Sequence, residues 1–269
     1  MPSPSRGPAA TPETADPFAP QEALGLDLRA LRARWADRAD LQPMTAEEMV
    51  GADRRAQALG TPGRVLMERA GTATAALALA ILADAGRPPT APVLVLGGPG
   101  NNGGDGFVVA RLVARTGRRV IAVLVASEDR PRTPDAAANW ARLAHEECIT
   151  LVHAPAPRDI AVLEPGIERA GLVVDALLGT GVSGGLREPI RSAVLLCHAA
   201  RKAGVPVLAI DVPTAVDLTS GDPSDPVVRA DVTITFHRPK TGLLQRRGKV
   251  LAGRVLVAPI GIPAEADRA

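Results

Sequence analysis

The 269-residue chain contains no tyrosine, only three phenylalanines and two tryptophans. So few aromatic faces leave single-stranded nucleic acid little to stack on, and a net charge of +2 with interspersed signs offers no basic face to a duplex. Lysine is scarce too: nearly all the positive charge is arginine, with lysine only at Lys202, Lys240 and Lys249. Lys240, on the turn after an apolar run ending at Phe236, stands out for that reason. The two cysteines, Cys148 and Cys197, fall in apparent helices without C-x-x-C or metal spacing. That excludes a disulfide framework, and they read as buried thiols of a reducing compartment. His145, His153, His198 and His237 are scattered and read as structural. The N-terminus has no continuous apolar core of a leader, and the longest helical apolar stretch, Ala73 to Ala85, reads as too short to span a bilayer. The expected protein is cytoplasmic, with neither nucleic acid nor membrane as a partner.

The length suits one sizeable α/β domain. Met1 to Pro20, crowded with Pro, Ser, Ala and Thr, reads as a disordered lead-in. Leu24, Leu28, Leu31 and Trp35 recur at helical intervals and predict one amphipathic helix over Gln21 to Asp37. Residues 1–40 thus form an N-terminal extension and 41–269 the main domain. There Thr45-Ala46-Glu47-Glu48 is a capping-box pattern, and a second helix, rich in small residues, runs from Pro62 to Ala85. Apolar runs at Val93, Val120, Thr150, Leu172, Val205, Val232 and Val255 alternate with helical patterns. They predict a doubly wound, mostly parallel, Rossmann-like sheet with helices on both faces and ligands at the carboxyl ends of its strands.

The stretch Val93 to Arg111, VLVLGGPGNNGGDGFVVAR, organises the rest. A buried strand feeds a glycine-rich turn, and then a helix begins. Its glycines are expected to take left-handed angles and approach a ligand, while the helix start aims N–H groups at an anion such as phosphate. A bare G-x-G-x-x-G match is weak. Asn101, Asn102 and Asp105 add polarity that a dinucleotide turn does not need. Asp175 with the following GTG loop, and Asp211 to Thr214, come at the ends of two further strands.

Four ordered segments, GPGNNGGDGFVVAR, VVDALLGTGVSGGLREP, AIDVPTAVD and ADVTITFHRPKTGLL, resemble the signature segments of the YjeF N-terminal family, the NAD(P)H-hydrate epimerases. The resemblance covers about residues 41–263. It implies the YjeF N-terminal fold, interconversion of the R and S forms of hydrated NADH or NADPH, a bound potassium ion, a homodimer, and a separately supplied dehydratase. Carried over by position, Asn101, Asn102, Gly103, Gly104 and Asp105 would contact substrate, as would Gly179, Thr180, Gly181, Val182, Ser183, Gly184 and Gly185. Asp211 would face the nicotinamide end. Asn102, Asp175 and Thr214 would hold the ion, Thr214 standing where the family has serine. Ala215 replaces a glycine, which costs on the order of 1 kcal/mol if the position requires a positive φ. Asp211 is the expected acid and base at the C6 hydroxyl; Lys240 would bind a phosphate or tune Asp211.

Two rivals remain. A nicotinamide-dependent oxidoreductase would need an acid soon after the second strand, where Glu128 and Asp129 come late, and it could have no catalytic tyrosine. A non-catalytic module of the same fold, as in mRNA-decapping scaffolds, would be expected to lose the polar groups that persist here.

Overall fold

A computed structural model describes residues 20–179 and 185–267. Seven strands form one sheet: β1 (Val93–Gly97), β2 (Val120–Leu124), β3 (Ile149–His153), β4 (Leu172–Ala176), β5 (Val207–Ile210), β6 (Val232–Phe236) and β7 (Arg254–Ala258). Every neighbouring pair is parallel, in the order β3-β2-β1-β4-β5-β6-β7. The chain winds outward from β1 to β3, then returns to β4 and winds the other way. The crossovers diverge between β1 and β4, which opens a crevice at the carboxyl ends of those strands.

The helices are α1 (Leu28–Arg34), α2 (Ala36–Ala39), α3 (Ala46–Ala58), α4 (Gly63–Asp84), α5 (Asn101–Ala114), α6 (Pro134–Arg142), α7 (Pro157–Ala161), α8 (Ile190–Lys202), α9 (Thr241–Leu244) and α10 (Arg246–Ala252). Along β1, Val93 and Val95 join the core cluster shared with α1, α3, α4 and α5, while Leu94 and Leu96 join the one shared with α7 and α8. Period-two alternation with both faces covered explains why a central strand such as β1 reads as an unbroken apolar run.

Several expectations change on contact with the fold. The single helix over Gln21 to Asp37 is broken: a 3₁₀ turn at Pro20–Ala23 is followed by Gly25 at φ +99°, and only then by α1 and α2. The periodicity survived the break because Ala23, Leu31 and Trp35 are all buried in the same cluster as α4. The expected lead-in at residues 1–19 lies outside the described residues. The longest apolar helix, α4, has 22 residues, enough by length and composition to cross a membrane, but it is mostly buried and serves as a core helix. Cys148 sits in the turn before β3 rather than in a helix, and Cys197 lies buried in α8.

The glycine stretch is also built differently from the expectation. Asn101 already begins α5, and none of Gly97, Gly98, Gly100, Gly103, Gly104 and Gly106 has a positive φ. Most of these glycines are needed for packing. A Cβ on Gly98 would lie 1.8 Å from the Leu177 carbonyl oxygen, and one on Gly103 2.0 Å from that of Gly98. Any side chain here would push α5 away from the β1–β4 junction. Gly103→Ala should therefore cost about 1 to 3 kcal/mol or more, read as a lower thermal unfolding temperature. Gly100→Ala, where a Cβ would meet nothing within 4 Å, should leave that temperature unmoved.

Candidate active site

A cleft of about 830 Å³ opens over the carboxyl ends of the strands. That is room for a nucleotide-sized ligand. Its floor comes from the β1 turn and the start of α5, with Pro99, Gly100, Asn101, Asn102 and Asp105. Leu177, Leu178 and Gly179 after β4, Asp211 after β5, and Phe236 and Lys240 at the end of β6 form one side. One face of α3, through Met49, Asp53 and Gln57 at helical spacing, forms another.

Lys240 is wholly buried. Its ammonium donates to Thr235 Oγ1 at 2.9 Å, the Phe236 carbonyl at 2.8 Å and the Arg238 carbonyl at 3.1 Å. Three protons meeting three acceptors leave none for a phosphate, so of the two roles expected for Lys240 the geometry favours the one directed at Asp211. Asp211 Oδ1 lies 3.5 Å from Nζ and accepts a bond from Thr235 Oγ1 at 2.9 Å. Thr235 thus links lysine to carboxylate. Burial lowers the pKa of Lys240, and Asp211 works against that shift. The Lys240 turn is pinned from the N-terminal side: Met44 donates to the Pro239 carbonyl, and Thr241 to the Met44 carbonyl, both at 2.9 Å.

Asp53 and Asp105 bring two further carboxylates to the cleft. Burial raises the pKa of Asp105 well above the ordinary carboxylate range, and the charges of Asp211 and Asp53 raise it further. Burial raises that of Asp53 as well, against a bond from Gln57 that lowers it. Three acidic groups thus share the cleft, Lys240 pairing with Asp211, while the burial and neighbouring charge at Asp105 favour its neutral form.

Beneath the cleft, Asp175 is fully buried, and burial lifts its pKa to about 6 against bonds that lower it. It accepts from the Thr214 N–H at 2.8 Å, the Thr214 hydroxyl at 2.7 Å and the Leu177 N–H at 3.2 Å. Thr214 also accepts from the Leu178 N–H at 3.1 Å, which ties the β5 turn to the loop after β4. Asn102, 8% exposed, leaves both side-chain amide atoms without a partner. It packs against Gly179, where a Cβ would lie 3.4 Å from its own. Asp175 and Thr214 therefore lie behind the cleft wall, whereas Asn102 and Asp211 line it.

Of the other predicted residues, Asn101, Asp105 and Gly179 line the cleft. Gly103 and Gly104 are buried, and a Cβ on Gly104 would press on Met67, so both face protein. Gly185 is exposed and is not among the cleft-lining residues, and Thr180, Gly181, Val182, Ser183 and Gly184 lie outside the described residues. Asp53, Thr235 and the Arg132–Thr133 rim escaped the sequence reading. For Asp53, the spacing Met49, Asp53, Gln57 beside buried Ala52 and Ala56 was the available signal.

The positive-φ residues other than glycine, among those described, are Asp211 at 64°, Ala215 at 75° and His237 at 65°. All follow β5 or β6, and strain of this kind concentrates at working sites. The methyl group of Ala215 is thus strained as anticipated. Ala215→Gly should raise unfolding free energy by up to about 1 kcal/mol, measurable by denaturant titration.

A doubly wound parallel sheet with such a cleft at its switch point defines an α/β small-molecule site of nucleotide size. The chain belongs to the YjeF family: the family model described as YjeF-related protein N-terminus matches residues 63–242. It is 37% identical to the NAD(P)H-hydrate epimerase of Cenarchaeum symbiosum, over 84% of this chain and 98% of that protein. It is 38% identical to the bifunctional NAD(P)H-hydrate repair enzyme of Pyrobaculum aerophilum, covering 84% of this chain but only 43% of the relative. The chain thus spans about two fifths of such bifunctional relatives. The crystal structure of yeast ynu0 shares the fold, with TM-score 0.64 at 23% identity, over 75% of this chain and 83% of that one.

Proposed function

We propose that this chain is an NAD(P)H-hydrate epimerase, interconverting the R and S forms of hydrated NADH and NADPH. The observation that carries this reading is the set of three acidic side chains, Asp53, Asp105 and Asp211, lining one nucleotide-sized cleft, with the buried Lys240 ammonium 3.5 Å from Asp211. Loss of the C6 hydroxyl from the hydrated ring leaves a positive charge shared with the ring nitrogen, and a carboxylate at Asp211 stabilises that cation. Asp211, entering the step protonated, gives its proton to the departing hydroxyl, so that water leaves and its own carboxylate is left beside the cation. Once the ring has turned its other face to it, that carboxylate takes a proton back from the arriving water, which closes the cycle with inverted configuration and no net proton change. Lys240 and Thr235 hold the Asp211 carboxylate in place.

Asp211→Asn should lower epimerisation by at least about 10²-fold while binding of the hydrated cofactor stays measurable. Turnover close to that of the unaltered protein would remove Asp211 from the reaction.

A bound potassium ion is supported by the unpartnered Asn102 amide, which packs on Gly179 of the loop that Thr214 holds through Leu178, and by oxygens of Asp175 and Thr214 that retain acceptor capacity. Asn102, Asp175 and Thr214 would hold it, and it would supply fixed positive charge near an anionic part of the substrate. A carboxylate whose folded pKa is raised, as for Asp175 from 3.8 to about 6, contributes stability below the lower value and loses it as pH climbs through the upper one. Without added cation, stability should fall between about pH 4 and pH 6, by on the order of 3 kcal/mol from this group. Potassium should raise the melting temperature above pH 6 and do less near pH 4.5, since proton and cation compete for one carboxylate. An equal response at both pH values would take Asp175 out of the ion site.

In this reading the chain works in the cytoplasm as a homodimer, and a separate stereospecific dehydratase consumes one of the two epimers.

A further inference from the structure

One corner of the cleft has no part in the chemistry at Asp211. It is built by the loop leaving β2 and by the start of α6, through Arg132, Thr133 and Pro134. The Arg132 side chain is 63% exposed, and its ion partner among the described residues, Glu128, stands at 4.0 Å, the outer limit of a pair. Its backbone is anchored, because the Arg132 N–H donates to the Pro99 carbonyl at 2.8 Å and so ties this corner to the β1 turn. Thr133 is the N-cap of the nine-residue α6, yet its side chain makes no capping bond. Its hydroxyl is buried with no partner at all. The corner thus offers a lightly engaged guanidinium, an orphaned hydroxyl and an uncapped helix start beside one another.

In a doubly wound sheet the end of the second strand adjoins the ribose 2′ oxygen of a dinucleotide, where an acid accepts a hydroxyl and an arginine accommodates a phosphate. The acids of this loop, Glu128 and Asp129, do not line the cleft, whereas Arg132 does. Asp135 also lines it, with Oδ2 turned toward the start of α4, 3.2 Å from where a Cβ on Gly63 would be.

Resting on the reading of the cleft as a hydrated-dinucleotide site, we propose that Arg132 and Thr133 bind the 2′-phosphate of the adenosine ribose, so that this chain prefers hydrated NADPH to hydrated NADH. The guanidinium presents two parallel donors to phosphate oxygens, and the threonine hydroxyl completes the cradle with the amides of Asp135 and Ala136, Pro134 at the first helical position having none.

Two measurements test this. Thermal-shift and calorimetric titrations with 2′-phospho-ADP-ribose and ADP-ribose report on the corner without a nicotinamide ring. The unaltered protein should bind the phosphorylated probe more tightly, and Arg132→Ala should erase about tenfold of that difference. Thr133→Val should erase a smaller share. In the coupled assay, Arg132→Ala should lower the ratio of kcat/KM for hydrated NADPH over hydrated NADH about tenfold, mainly through KM. Equal affinity of the unaltered protein for the two probes overturns the proposal, as does a loss in Arg132→Ala shared equally by both. Failure of the unaltered protein to epimerise either hydrate, with the probe difference intact, overturns the reaction and leaves the corner standing.

Discussion

The ammonium of Lys240, sealed from water behind the cleft, is the constraint on which the site depends. Burying an unpaired charge costs several kcal/mol, and this one is tolerated because its protons meet the oxygens of Thr235, Phe236 and Arg238 with Asp211 nearby. Those oxygens belong to the end of β6 and the turn after it, so the turn has to fold back on itself to supply them. The geometry that satisfies the lysine therefore also sets where the Asp211 carboxylate points.

Two kinds of tightness surround that point. At the β1–β4 junction, Gly98 and Gly103 bring backbones together with no room for a methyl group. At the ends of β5 and β6 the tightness is torsional, in the positive φ of Asp211, Ala215 and His237. Aspartate tolerates such angles better than most residues, and alanine does so at a cost. The first kind fixes the floor of the cleft against its wall, and the second re-aims the chain so that Asp211 faces the opening while Thr214 turns inward to Asp175.

The inner strands were legible because they are covered on both faces, which leaves a plain apolar run in the sequence, whereas the edge strand β3 is partly exposed and reads less plainly. Helix starts were legible where a local bond makes them, as with the reciprocal cap of Thr45 and Glu48. The glycine stretch was located correctly but its left-handed angles are not there, since composition does not distinguish a glycine needed for its φ from one needed for the space beside it. Gly25 broke a helix whose hydrophobic repeat ran on regardless, because both fragments rest on one core. Lys240 was conspicuous by rarity, but its burial was invisible, because that depends on Met44 and the β6 turn meeting across the whole chain. Asp53 and Thr235 were missed for the same reason: a lone acid on a helix and a lone hydroxyl in a strand gain meaning only from what tertiary packing puts opposite them.

The ladder of bonds between Met44 and the Pro239–Thr241 turn joins segments near the two ends of the described chain. A ribosome releases them far apart in time. Strands β1 to β4 pair with neighbours that have already emerged, whereas the buried lysine can be sealed only after the turn following β6 meets the segment at Met44. Long-range closure of this sort is slow, so a nascent chain carries the glycine-lined floor of its cleft before it carries the lysine that completes it.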